Sequence, residues 1–551
     1  MSRPLLARRH SYDVRRSPGE VVVFRSAPEL GGLELRTSLY ARIPFMAVAG
    51  METRTKEVVR QLSRSSTQEL EEARTDGYLW RVSVGEDGND ALRHDYVTRR
   101  LLATALTASA SMFQFGYNTS VLNAPAASVF PGHSGWAVAV AAFALGGPVG
   151  AMIGGATSNA FGRKKGLLIN AILFFLGGLI QTLAPSMACL TVGRVVTGAA
   201  SGFASTLVPL YLGEVAPPIL RGTFGAVAQL ALVAGILAAA LVAFSQRCGA
   251  SWRVLVGVSP FLALVQLVAC VAVDESPRWL VDKGENDAAR DALRRLRNFQ
   301  DDRAADDELG HILKTAEVHK PTTKGSSTFF DGPITAVVAL HLAQQFCGIN
   351  AVFYYSSTFL DGIVDDPLLG TTIVAAVNVA ATWVAIVLAA DYDLGRKPLL
   401  ATSAAGMLGA CVLVTLALLD LLPKIIALVA LVLYVAFFEL GLGPIPWSVV
   451  ADFFESKNVD AAQSLSCQVN WTSNFVVGLV FPTINATLGP LAFLPFAIVL
   501  AATLAFVLAK FPQETKALAH KTYDSTEKFV AQPARFLLDS PPVLLAAHHQ
   551  P

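Results

Sequence analysis

The chain has 551 residues, 53% of them hydrophobic and only 15% charged, with a mean hydropathy of +0.49, which excludes a soluble globular domain and implies an integral membrane protein. A formal net charge of +1 excludes a global field of the kind that draws nucleic acid or a polyanion. The six cysteines (Cys189, Cys248, Cys270, Cys347, Cys411, Cys467) show no CxxC or metal-ligand spacing and read as small core residues, so neither a metal nor a cofactor is expected.

In chain order, residues 1–98 are polar and arginine-rich, and their longest apolar piece, IPFMAVAGM (43–51), is too short to span a bilayer. They read as a disordered tail. Twelve apolar stretches follow, at about 100–123, 135–158, 166–184, 188–212, 222–245, 252–273, 333–360, 369–390, 398–420, 424–447, 462–485 and 489–510. Each approaches the ~20 residues a helix needs to cross the hydrocarbon core. Lys and Arg gather in alternate loops: Arg163, Lys164 and Lys165, then Arg221, then the segment after span 6, then Arg396 and Lys397. The positive-inside bias therefore puts both termini in the cytoplasm.

The chain also repeats. FGRKK (161–165) after span 2 returns as LGRKP (394–398) after span 8, and SPR (276–278) after span 6 is answered by ETK (514–516) after span 12. Both offsets are about 235 residues. The pattern implies an all-α membrane protein of two six-helix pseudo-repeats, 99–273 and 333–511, with a cytoplasmic helical linker at 274–332 and a C-terminal tail at 512–551. In the linker, DAARDALRRLRNF (287–299) sets Leu293, Leu296 and Phe299 at helical spacing.

Polar side chains inside a span are costly, so those present mark a pathway or a buried network. Span 1 carries Gln114, Tyr117 and Asn118; span 5, Gln229; span 7, Gln344, Gln345, Asn350, Tyr354 and Tyr355; span 8, Asn378; span 10, Glu439 and Trp447; span 11, Asn470, Trp471 and Asn474. A lone amide in a span is more often an interhelical hydrogen bond than a ligand contact. Amides spread over several spans, together with two tryptophans, instead suggest a central polar cavity. Amides both donate and accept, and tryptophan offers a flat apolar face, so the lining suits a neutral polyol better than an ion. Trp471 and Asn474 share a helix face, whereas Gln344 and Asn350 meet only if Gly348 loosens span 7. Tyr354 and Tyr355 admit two readings, gate or membrane-interface belt. In FFELGLGPIPW (437–447), Gly441, Gly443, Pro444 and Pro446 free backbone groups that lipid cannot satisfy, which places the break beside protein or a watery cavity and marks a hinge.

In QFGYNTSVLNAP, GRVVTG, YLGEVAPPILRG, DESPRWL, QQFCGINAVFYYS, FFELGLGPIPW, NWTSNF and PQETK, residues 100–517 resemble the sugar-porter branch of the major facilitator superfamily, most closely the facilitative hexose transporters of the GLUT type. The resemblance implies sugar contacts from Gln229, Gln344, Gln345, Asn350, Asn378, Glu439, Trp447 and Asn474, with Trp471 lining the pocket. It puts Asn118, Tyr354 and Tyr355 near the outer gate. It also implies an inner charge network of Arg163, Lys164, Glu214 and Arg221 in the first half. In the second half Arg396 and Lys397 stand opposite Asp452, while Asp393 and Val459 replace basic residues of the family pattern. Proton-coupled relatives usually carry Asp where this chain has Asn118, and an amide does not titrate, so uniport of a hexose, with D-glucose foremost, is expected over proton symport. A non-transporting sugar sensor signalling through the long tail is the alternative of another class. No nucleotide loop or catalytic set suggests an enzyme. The expected partners are a small sugar and the lipid bilayer, and the expected location is the plasma membrane.

Overall fold

A computed structural model describes residues 98–511 except 124–128, 131–134, 218–220, 246–250, 300–301, 319–332, 392–394 and 454–455. In the N-terminal segment it describes three two-residue strands, β1 (Val14–Arg15), β2 (Val23–Phe24) and β3 (Leu33–Glu34), paired antiparallel in that order, which the sequence reading does not anticipate. The expectations for the rest of residues 1–97 and for 512–551 fall outside the described residues.

The membrane body is all-α. Its first half is α1 (Arg99–Ser120), α2 (Trp136–Phe161), α3 (Arg163–Thr182), α4 (Met187–Val215), α5 (Arg221–Ala243) and α6 (Trp252–Ala269). A linker of α7 (Pro277–Asp282), α8 (Asn286–Arg297) and α9 (Asp302–Val318) follows. The second half begins with a broken span, α10 (Pro333–Phe346) and α11 (Ile349–Leu360), then α12 (Pro367–Asp391) and α13 (Arg396–Leu418). A second broken span, α14 (Ile425–Leu440) and α15 (Ile445–Phe453), precedes α16 (Ser456–Leu488) and α17 (Leu494–Lys510). Twelve spanning segments result. Ten are long and apolar enough to cross a membrane by length and composition. The last, α17, is a shorter apolar helix. The first, α1, is diluted by polar residues that face inward, Thr104, Ser111, Gln114 and Asn118 all being buried.

Small residues let the backbones of the first half touch. A Cβ on Gly150 would stand 1.8 Å from the Ala199 carbonyl oxygen, and one on Gly198 would stand 1.8 Å from that of Phe143, so α2 and α4 meet main chain to main chain. The outer surface is a band of exposed apolar side chains, among them Leu106, Met152, Phe261, Val268 and Ile498, as lipid requires. The two halves meet where α2 packs on α16 and α5 on α12.

The linker belongs to the first half. Ser276 caps α7 by accepting from the Trp279 N–H, with Pro277 at the first helical position. The apolar face of α8 buries Ala292, Leu293 and Leu296, and Asn298 closes the helix in the left-handed conformation. Arg297 pairs with Glu308 at 3.0 Å and donates to the Val215 carbonyl at 2.7 Å, fastening α8 and α9 to the end of α4. Arg100 and Arg295 converge on Asp274, so the start of α1, the end of α6 and the linker share one ionic knot.

Overpacking a backbone contact costs roughly 1–3 kcal/mol. Gly198→Ala should therefore lower the thermal midpoint of the detergent-solubilised protein, while Gly155→Ala, whose Cβ would meet nothing within 4 Å, should leave it unchanged. Equal midpoints for the two variants would refute the close approach of α2 and α4.

Candidate functional site

Both broken spans belong to the second half, and their breaks face each other. In the seventh span the helix stops at Phe346 and restarts at Ile349, with Gly348 at φ +90°, a conformation that favours glycine. A Cβ there would also lie 2.6 Å from the Phe496 ring. The Tyr434 hydroxyl donates to the Cys347 carbonyl left free at this turn. In the tenth span α14 stops at Leu440 and α15 starts at Ile445, where the Gly and Pro residues predict a break. The freed carbonyls of Leu442 and Gly443 each accept from Gln344 Nε2 at 2.7 Å.

That contact fixes the orientation of every amide behind it. A carbonyl only accepts, so Gln344 must turn its N–H₂ toward the break and its Oε1 toward Asn470, whose Nδ2 donates to it at 2.6 Å. The Asn470 Oδ1 accepts from Gln345 Nε2 at 2.9 Å, and Gln345 Oε1 accepts from Asn350 Nδ2 at 2.6 Å. Asn350, Gln345, Asn470 and Gln344 therefore form one directional relay ending on the broken helix. The loosening at Gly348 brings Gln344 and Asn350 into it together, as the sequence reading requires. Asn470 is its central member, although the resemblance assigns it no role.

The other expected contacts lie nearby in varied states. Glu439 is buried, with Thr382 of its own half and Gln229 of α5 as its polar neighbours, so the carboxylate stands between the halves. Asn378, one turn before Thr382 on α12, is fully buried and neither polar atom of its amide has a partner among the described residues. Trp447 is half-buried, edge-on to His341 with ring centroids 4.8 Å apart. Trp471 packs differently from a free pocket wall. It stacks on Phe115 (5.2 Å), meets Phe143 edge-on (6.0 Å) and sits against Gly147, so its face is taken up by the first half.

Toward the side away from the linker, Tyr354 donates to Asn474 Oδ1 at 2.9 Å and Tyr355 to the Gly478 carbonyl at 2.7 Å. Both are buried, which removes the interface-belt reading. Asn118 donates to the Gln114 carbonyl and to Ser259 Oγ, and its own carbonyl accepts from Arg194 at 2.6 Å. Arg194 is fully buried, with its guanidinium 4.5 Å from the centre of the Phe143 ring. The halves are joined on this side by Asn123, at the end of the α1 motif, which sequence reasoning quoted but did not single out. Its Nδ2 donates to Ser356 Oγ at 2.7 Å, and its Oδ1 accepts from the Ser357 N–H at 3.0 Å and the Ser357 hydroxyl at 2.9 Å. A cavity of about 310 Å³ opens on the same side between Asp361, Asp420, Lys424 and Asn485, away from the relay.

On the linker side Arg163 grips Glu214 through two hydrogen bonds of 2.8 Å. Glu275, within DESPRWL, accepts from the backbone N–H groups of Arg163 and Lys164 at the start of α3, and so joins the network although the resemblance assigns it no role. Burial raises its carboxyl above the ordinary value, an effect opposed by the N–H donors of Ser276, Arg163 and Lys164. Lys164 Nζ donates to the Val271 carbonyl. In the second half Lys397 donates to the Phe511 carbonyl at 2.9 Å, and Arg396 is half-buried at the start of α13. The side chains of Arg221, Asp393, Asp452 and Val459 fall outside the described residues, as does the pairing expected of the two aspartates.

Broken, polar-lined spans in a twelve-helix pseudo-repeat are the architecture of a secondary transporter. The chain belongs to the sugar transporter family: the family described as sugar (and other) transporter matches residues 103–526. The human solute carrier family 2 facilitated glucose transporter member 4 is 36% identical over 466 residues, covering 78% of this chain and 90% of that protein. The rat facilitated glucose transporter member 3 is 35% identical, covering 79% and 94%. Among solved structures, the partially occluded inward-open conformation of the xylose transporter XylE from E. coli matches with a TM-score of 0.67 at 26% identity, covering 76% of this chain and 99% of that one. The proton:xylose symporter XylE bound to 6-bromo-6-deoxy-D-glucose matches with a TM-score of 0.64.

Each buried hydrogen bond lost at Asn123 is worth about 1 kcal/mol. Asn123→Ala should therefore move the protein toward a form open on the side away from the linker. Spin labels on the exposed Leu183 and Leu421, one in each half, should then report a larger population at long distance. An unchanged distance distribution would refute the role of Asn123 as a latch.

Proposed function

We propose that the chain is a facilitative hexose transporter, with D-glucose as the expected substrate, working by alternating access. The observation that carries this reading is the amide relay Asn350–Gln345–Asn470–Gln344, with the buried Asn378 amide lacking a partner among the described residues and Glu439 the one carboxylate in the set. Such a lining exchanges hydrogen bonds with a neutral polyol on both the donor and the acceptor side. Each exchange against water contributes only ~0.5–1.5 kcal/mol, so binding is weak and release is easy. The relatives named as facilitated glucose transporters support the substrate class.

The hydrogen bonds of Asn123 across the halves support a state closed on the side away from the linker, which is the outer face if both termini are cytoplasmic. Gly441, Gly443, Pro444 and Pro446 then serve as the hinge, with Asn118, Tyr354 and Tyr355 near the outer gate. The Arg163–Glu214–Glu275 set serves as the inner charge network, with Lys164, Arg221, Arg396, Lys397 and Asp452 around it. The plasma membrane is the expected site of action.

Glu439 favours one second reading, proton-coupled symport, because it is a buried carboxyl that stands between the halves and could exchange a proton. Against it, Asn118, an amide that does not titrate, stands where proton-coupled relatives usually carry Asp. Glucose uptake into liposomes reconstituted with the full chain should be unchanged when the proton gradient is collapsed, and should persist in Glu439→Gln. Uptake that requires the gradient, and loses accumulation in that variant, would replace uniport by symport. In the same assay Gln344→Ala should raise the half-saturation concentration several-fold, since one hydrogen-bonding side chain is lost. An unaltered value would remove Gln344 from the sugar site.

A further inference from the structure

His341 is a polar residue of the site that neither the motifs nor the spacing selects. It sits on α10, fully buried, three residues before Gln344. Its Nδ1 lies 3.1 Å from Asn470 Nδ2, the atom that also donates to Gln344. The orientation of Asn470 is fixed by the relay, so Nδ2 is the donor and Nδ1 the acceptor. The imidazole is therefore neutral and carries its proton on Nε2, an atom buried without a partner in good geometry. The ring stands edge-on to Trp447, and the Pro446 carbonyl lies against it. His341 thus touches the centre of the amide relay on one side and the first turn of α15 on the other.

We propose that His341 is a positioning residue that couples loading of the amide relay to bending at the α14–α15 break. The amide of Asn470 is shared between Gln344 and His341, and both ends of that sharing press on the break: Gln344 through Leu442 and Gly443, His341 through Pro446 and Trp447. A hydroxyl that takes over the Asn470 donor deprives Nδ1 of its partner. The ring is then held only through Trp447 and Pro446 and is free to turn, so the second of the two ties between α10 and α15 slackens. An apolar solute of the same size makes no such exchange and leaves the ties in place. The coupling rests on the reading of the relay as a hexose site, whereas the mechanical link from His341 to the break does not.

The test uses two variants of the full chain. His341→Phe keeps an aromatic edge for Trp447 but has no acceptor for Asn470, and His341→Gln restores an acceptor and a donor. In detergent without sugar, amide hydrogen exchange at Gly441, Leu442, Gly443, Ile445 and Trp447 should quicken by about fivefold in His341→Phe, as expected for the loss of one neutral hydrogen bond. It should stay near the wild-type rate in His341→Gln. In liposomes the ratio of equilibrium glucose exchange to net efflux should shift by a similar factor in His341→Phe alone, because the empty and loaded carriers no longer differ at the hinge. A merely structural lesion would lower both fluxes together and leave their ratio intact. Unchanged amide exchange in His341→Phe, or an equal change in His341→Gln, overturns the proposal. Should His341→Phe not fold, His341→Leu carries the same expectation. Absence of glucose flux in the wild type would instead defeat the hexose reading, with the amide-exchange arm still deciding whether His341 holds the break.

Discussion

Two carbonyl groups organise this site. A helix broken at bilayer depth leaves acceptors that lipid cannot satisfy, each costing several kcal/mol if left bare. The chain meets that demand at Leu442 and Gly443 with a single side-chain amide from the facing broken span. Because a carbonyl cannot donate, this contact sets the polarity of Gln344, and through it that of Asn470, Gln345, Asn350 and the His341 tautomer. The proposed binding site and the proposed hinge therefore share the same side chains.

The division of labour between the halves follows from packing. The first half is rigid where α2 and α4 touch main chain to main chain, and the linker is fastened to it through Arg297, Glu308 and Asp274. The second half holds both breaks and most of the amides. Among the described residues, the side chains that reach across include Asn123 to Ser356 and Ser357, Gln229 beside Glu439, Gln468 to the Pro148 carbonyl, and Trp471 into the aromatic pair Phe115 and Phe143. Weak, replaceable contacts suit an interface that must open on alternate sides.

Much of the fold is legible in the sequence, because hydropathy and loop charge are local properties. The twelve spans, the linker helix with Leu293 and Leu296, and the break at Gly441–Pro444 all follow from residues close together in the chain. What is not legible depends on which surfaces meet. Gln344 and the carbonyls it caps are about a hundred positions apart, so its service to the break is hidden until α10 and α15 are placed together. Spacing puts Trp471 and Asn474 on one face of α16 but does not reveal that Trp471 packs on Phe115 and Phe143 of the first half while Asn474 accepts from Tyr354 of its own half. His341 passes unnoticed because a single histidine in an apolar run carries no pattern, and Glu275 because its role lies in facing the first turn of α3.

Arg194 extends this logic to ions. Its guanidinium stays charged while deep in the protein, held by the carbonyls of Asn118 and Val140 and the face of Phe143, with no carboxylate among these partners. Neutral carbonyl dipoles steady such a charge without cancelling its field. A fixed positive potential thus stands beside Asn118 and within electrostatic reach of Tyr354 and Tyr355. It costs an uncharged solute little but repels sodium and hydronium, much as a lone arginine bars protons from a water pore. For the proposed sugar transport, such a charge would favour passage of an uncharged solute over that of a small cation.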